Sequence, residues 1–161
     1  EDERVVRETT ETIADHAGEP PAGWLSPGLR QSPATLDHLE AAGYSYVCDF
    51  PADDAPWDFA DHDLVGVPYS LDLNDKRLVE GQGLSGPEYR DALVDAYGTL
   101  RADARRSGVA RVLPVPLHPF ITGQPHLAPY LAEALEHVVA DEDAWATTGD
   151  EIAAHFRETA T

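Results

Sequence analysis

The chain is 161 residues long (17.5 kDa) and carries 30 Asp plus Glu against 11 Lys plus Arg, a formal charge of -19. A field of that sign repels phosphate backbones and anionic lipid surfaces, which argues against nucleic-acid and membrane partners. Hydrophobic residues make up 42%, enough for a packed core. Cys48 is the single cysteine, so neither an internal disulfide nor a thiolate zinc cluster can form within the chain. No apolar run approaches the roughly 20 residues of a membrane span, and the charged start has no signal-peptide pattern, so a cytoplasmic location is expected. Lys76 is the only lysine and methionine is absent. The absence of methionine implies trimming or a longer parent chain. The Asp-rich, nearly lysine-free composition suits a halophilic setting, because at molar salt the Debye length is only about 3 Å.

In chain order, Asp2 to Ala17 reads as a helix with Val5, Val6, Thr9, Ile13 and Ala17 near one face, stopped by Gly18 and Pro20-Pro21. Gly23-Trp24-Leu25 reads as a short extended piece. Ser32 and Pro33 are expected to open a second helix that ends at Gly43. Tyr44 to Asp49 reads as a strand, Pro51 to Asp63 as an acidic loop holding Trp57, and Leu64 to Tyr69 as another strand. Asp72 to Gly86 reads as a polar loop, and Pro87 to Ser107 as the longest helix. Arg111 to Leu117 is expected to be a strand despite its prolines, followed by a loop, a helix over 126–140, a short strand at 144–147 and a last helix through Phe156.

Strands alternating with helices predict an α/β fold with a parallel sheet and crossover helices. Short, proline-bearing strands suit a distorted barrel, and five are too few to close one. The chain is therefore expected to be one domain over residues 1–161 that forms part of a barrel.

In such folds, ligands gather at the carboxyl ends of the strands. The residues following the predicted strands are Ser26-Pro27-Gly28, Asp53-Asp54 with Trp57, Tyr69 with Asn74-Asp75, and His118. An imidazole, carboxylates, an amide and aromatic walls suit acid–base chemistry on a small polar substrate. His118, flanked by Pro116 and Pro119, is the strongest candidate, as a donor of a proton to a leaving amine. Asn74-Asp75 can orient a substrate amide or fix the imidazole tautomer, although an Asx turn is the commoner use of such a pair. Asp54 belongs to a run that can face substrate but reads more readily as a solvated acidic loop, and Trp57 can be a stacking wall or a loop anchor. Asp61-His62-Asp63 has metal-ligand residue types without metal-ligand spacing and reads as a surface turn. Phosphate-loop, His-Glu-x-x-His and Gly-x-Ser-x-Gly patterns are absent.

The stretches GWLSPGLRQSPATLDHLEAAGYSYVCDF, DDAPW, VPYSLDLND, LSGPEYRDALVDAYGTL, LHPFITGQPH and AWATTGDEIAAHF, in that order, cover nearly the whole chain. Together they resemble the polysaccharide deacetylase (NodB-homology) family, and within it the urate-catabolism, allantoinase-like branch that can act without a cofactor. The resemblance implies part of an irregular (β/α)7-type barrel lacking its N-terminal strands. It also implies hydrolysis of carbon–nitrogen bonds other than peptide bonds. The family's aspartate motif and histidine pair would lie before Glu1, so the resemblance places the base and any metal ligands outside this chain. No cofactor is then expected within it, and a divalent metal such as zinc only if upstream ligands exist. Sugar deacetylases usually carry Arg where Leu25 stands, which favours a small amide or ureide over a polymer. Residue by residue, the resemblance makes His118 a general acid or a stabiliser of the tetrahedral intermediate. It places Asn74 and Asp75 in the substrate-side loop and Trp57 near the pocket. It makes Ser26-Pro27-Gly28 a turn whose N–H faces an oxyanion. The alternative expectation is a non-catalytic remnant, a binding protein, or a subunit completed by a partner or by further copies of itself.

Overall fold

The computed structural model describes residues 1–159, and residues 160 and 161 are left undescribed. Asp2–Ala17 is α1, and Gly18 ends it in the left-handed region at φ 89° with its N–H on the Ala14 carbonyl 2.9 Å away. Along α1, Arg4 and Arg7 pair with Glu8 and Glu11 one turn on, and Val6 is its buried residue.

Four strands, each of two residues, form one sheet: β1 Gly23–Trp24, β2 Tyr46–Val47, β3 Trp57–Asp58 and β4 Val65–Gly66. The order is β1-β2-β4-β3, with β1, β2 and β4 parallel and β3 antiparallel at the edge. The parallel part was expected and β3 was not. Trp57 lies in that strand, paired with Gly66, rather than in a loop. The helix α2 covers Thr35–Ala41 and begins later than Ser32-Pro33 suggested. The Ser32 hydroxyl accepts the Ala34 N–H at 3.1 Å, and the Ser32 N–H donates to the Thr35 hydroxyl at 2.9 Å. Serine here builds a turn ahead of the helix instead of capping its first turn.

Alternation along the strands sends neighbouring residues to opposite faces. Val47 and Leu64 join Val6, Leu39 and Tyr44 in one core, beside α1 and α2. Tyr46, Cys48, Val65 and Val67 join Ala153, Ile152 and Phe156 in another, beside the last helix, α5 (Gly149–Thr159). Burial on both faces explains why the strands read as nearly continuous apolar runs.

The chain divides into two compact units, residues 1–67 with 147–161, and residues 68–146. The sheet, α1, α2 and α5 belong to the first. The second contains a π-helical turn at Lys76–Gly81, α3 over Gly86–Ser107 and α4 over Ala128–Val139. Its core is Leu78, Tyr89, Leu93 and Ala134, flanked by Leu73, Val115 and Leu131. Gly86 lets the two helices approach, because a Cβ there would collide with the Tyr130 ring. The turn at Lys76–Gly81 replaces part of the loop expected over residues 72–86, because Leu78 is drawn into the core.

Two expected strands, 111–117 and 144–147, are not strands. Pro114 and Pro116 have no N–H to give to a ladder, so 111–117 runs without sheet pairing among the described residues. What it contributes instead is the Pro116 carbonyl, which accepts the Asp75 N–H at 3.3 Å.

Candidate functional site

Asp75 and His118 come from sequence positions 43 residues apart and meet in the second unit. Leu78 anchors the chain just after Asp75, and buried Ile121 and Leu127 anchor it after His118. Both segments are then joined through the Asp75 carboxylate, which is fully buried. Oδ2 accepts the His118 backbone N–H at 2.7 Å and the Thr122 hydroxyl at 2.9 Å. Oδ1 lies 2.6 Å from His118 Nδ1.

Burial pushes the Asp75 carboxyl up, but hydrogen bonds from the His118 backbone and ring and from Thr122 outweigh it, leaving the group below the ordinary aspartate range. It is therefore an anion at neutral pH and can only accept. The proton on the shared bond must sit on Nδ1, which fixes the tautomer of a neutral ring. Nε2 has no hydrogen-bond partner among the described residues, and one third of the side chain is open to solvent. The Phe120 ring meets the imidazole edge-on at 5.3 Å and is 61% exposed. The result is an imidazole with one nitrogen clamped and the other free to exchange a proton with a ligand.

Asn74 is occupied at both ends of its amide. Nδ2 donates to the Tyr69 hydroxyl at 3.2 Å, and Oδ1 accepts the Lys76 N–H at 3.0 Å. The second bond is the Asx turn that was the bland alternative for this pair. Tyr69 is half-buried and braces Asn74.

The remaining candidates lie in the first unit. Ser26 is buried, and its N–H and hydroxyl both go to the Asp49 carboxylate, at 2.5 and 2.6 Å. Trp24 Nε1 donates to the Ser26 hydroxyl at 2.8 Å. The Ser26 N–H is committed to Asp49 and Pro27 has none, so of the three residues expected to form an oxyanion turn only Gly28 keeps an N–H outside these bonds. Gly28 at φ 65° and Leu29 at φ 55° are consecutive left-handed residues, and Leu29 is the single non-glycine residue with positive φ among the described residues. A left-handed leucine costs on the order of 1–2 kcal/mol. Trp57 packs across Gly66, where a Cβ would collide with its ring, and lies 6.1 Å from Phe59. That packing anchors the β3 edge. Asp54 is exposed in a loop where Asp53 accepts the Ala55 N–H at 3.0 Å.

No group of three or more His, Cys, Asp or Glu among the described residues is arranged to hold a metal. The donor chemistry agrees, because every hydrogen bond on Asp75 is directed inward to its own chain. His62 of the Asp61-His62-Asp63 run bonds Glu40 at 3.1 Å.

Two polar residues of these clusters were not singled out from sequence. Asp49 read only as the end of a strand, although an acid at a strand terminus is itself a signal. Thr122 lay in a loop without pattern, and its partner is far away in sequence.

No protein-family model matches the chain. A Schizosaccharomyces pombe protein named "Putative polysaccharide deacetylase" is 27% identical over 111 residues, 68% of this chain and 34% of that protein. Among solved structures, a "probable polysaccharide deacetylase" from Pseudomonas aeruginosa gives a TM-score of 0.86 at 24% identity, over 98% of this chain and 53% of that one, a likeness of fold. These matches agree with the expected class, part of an irregular deacetylase-type α/β barrel. More particularly, the chain is similar to the Puue allantoinase, whose crystal structure it matches with a TM-score of 0.87 and 28% identity, over 98% of this chain and 53% of the allantoinase. The chain thus spans between one third and about one half of the length of these relatives. No described helix is long and apolar enough to cross a membrane.

Proposed function

We propose that the protein is part of a carbon–nitrogen hydrolase of the polysaccharide deacetylase type, with His118 as general acid and Asp75 as the group that orients it. The carrying observation is the 2.6 Å contact between Asp75 Oδ1 and His118 Nδ1 beside an uncommitted Nε2. Likeness to the Puue allantoinase and to the fission-yeast relative supports the reaction class.

In this reading, water adds to the carbonyl carbon and the carbon–nitrogen bond then breaks. The leaving nitrogen takes a proton from Nε2 of the imidazolium, whose charge faces the Asp75 anion. No described residue is assigned as the base that deprotonates the water. The substrate class is a small amide or ureide rather than a polymer, which the position of Leu25 and the match to an allantoinase both support.

The test is a hydrolysis screen of cyclic ureides, small amides and N-acetyl sugars, with and without chelator. The protein should be produced with any coding sequence in frame upstream. Release of amine or ureide product is expected, and His118→Ala should lower kcat by roughly 100-fold or more. An unchanged rate in that variant removes His118 from the mechanism, and no turnover of any class by the wild type removes the reading. A second reading is a non-catalytic unit completed by a partner or by another copy. It predicts binding of the same small ligands without product.

A further inference from the structure

We propose that Thr122 is a positioning residue that holds the Asp75 carboxylate in the orientation that clamps the imidazole; the kinetic part of this inference rests on the reading of His118 as general acid. The carboxylate is loaded unevenly. Oδ2 holds two donors, the His118 N–H at 2.7 Å and the Thr122 hydroxyl at 2.9 Å, while Oδ1 holds the ring alone at 2.6 Å. Rotation about the Cβ–Cγ bond of Asp75 would break all three contacts together. Two donors on Oδ2 resist it far better than one.

Thr122 is suited to this task. It is 2% exposed, so water cannot readily replace its hydroxyl. Its hydroxyl lies 3.5 Å from the His118 carbonyl, well beyond its distance to Asp75, so the carboxylate is the acceptor that matters. The hydroxyl and the ring come from one tight turn. The Ile121 and Thr122 N–H groups both bond the His118 carbonyl, at 2.8 and 3.1 Å, and the Gly123 N–H bonds Pro119 at 3.1 Å. A Cβ at residue 123 would collide with the Pro119 carbonyl, so glycine is required for the turn to close this far. Thr122 thus reaches around the same carboxylate that clamps the ring of its own turn.

The test reads the imidazole directly by nitrogen-15 NMR of the histidine rings, with wild type, Thr122→Val and Thr122→Ser compared. In the wild type the neutral His118 ring should be almost wholly the Nδ1–H form, and the Thr122 hydroxyl proton should be protected from exchange. Thr122→Val should give a mixture of the two tautomers, and Thr122→Ser should restore the single form. In the hydrolysis assay, Thr122→Val should lower kcat by about tenfold with KM unchanged. A single Nδ1–H tautomer in folded Thr122→Val overturns the proposal. So does a freely exchanging hydroxyl in the wild type, a measurement that stands even if the variant does not fold. If the NMR results are as expected but no substrate class is hydrolysed, the functional reading fails and the positioning role survives.

Discussion

His118 was legible in the sequence because prolines on both sides advertise a fixed loop, and Asp75 because an Asn-Asp pair follows an apolar strand. That Asp75 is the partner of His118, and Asn74 is not, depended on burial. The fully buried carboxylate had to find donors, while the half-exposed amide satisfied itself with Tyr69 and Lys76 nearby. The low Asp75 pKa has a consequence for stability. Between the lowered folded value and the ordinary aspartate value, the unfolded chain binds a proton that the folded chain does not. Acid therefore favours unfolding in that window, and the contribution is fully present only above it. Wild type should lose urea resistance more steeply than Asp75→Asn as pH falls from about 5 to about 2. Parallel curves for the two proteins would refute this. The Cys48 thiol is pushed up to about 11 by burial and by neighbouring Asp49, so it is a packing residue at neutral pH and not a nucleophile.

At the level of elements, α1 and α3 were readable to within a residue at their ends because their stops are local. Gly18 and Gly108 supply the left-handed residues that end them, at φ 89° and 73°. The strands were harder. Two-residue strands carry little periodicity, and β3 sits in an acidic stretch whose composition says loop. What makes it a strand is a tertiary accident of size, an indole laid over a glycine on the neighbouring strand. Gly66→Ala should displace Trp57 and release the β3 edge, at a cost of about 1–3 kcal/mol. Chemical denaturation followed by tryptophan fluorescence measures it, and an unchanged midpoint and emission would show that Trp57 is not held by Gly66. The prolines of 111–117 cut the other way. They permit an extended chain, withhold ladder donors, and leave the Pro116 carbonyl for Asp75.

For the whole molecule, charge dominates. Arginines are largely spent on exposed pairs such as Arg4 with Glu8 and Arg90 with Glu133, each of little energetic weight. A formal charge of -19 remains as self-repulsion, which salt screens. The melting temperature should therefore rise by several degrees between about 0.1 M and about 2 M KCl, a change of roughly 2–4 °C for each kcal/mol of relieved repulsion in a chain of this size. Thermal melts followed by circular dichroism test this, and a flat or falling Tm would show that the acidic surface imposes no such cost.

The sequence by itself determined the helices with local stops, the alternation that makes an α/β chain, the acidity, and the residue types at the strand ends. These are set by neighbours a few positions away, or by composition alone. Only the tertiary structure decided that Ser26 serves Asp49, that Trp57 is an edge anchor, and that Thr122 joins Asp75 and His118. The physical reason is the same in each case. A buried polar group must be paired and a buried ring must be seated, and the partner that does so is chosen by folded proximity, which no local pattern records.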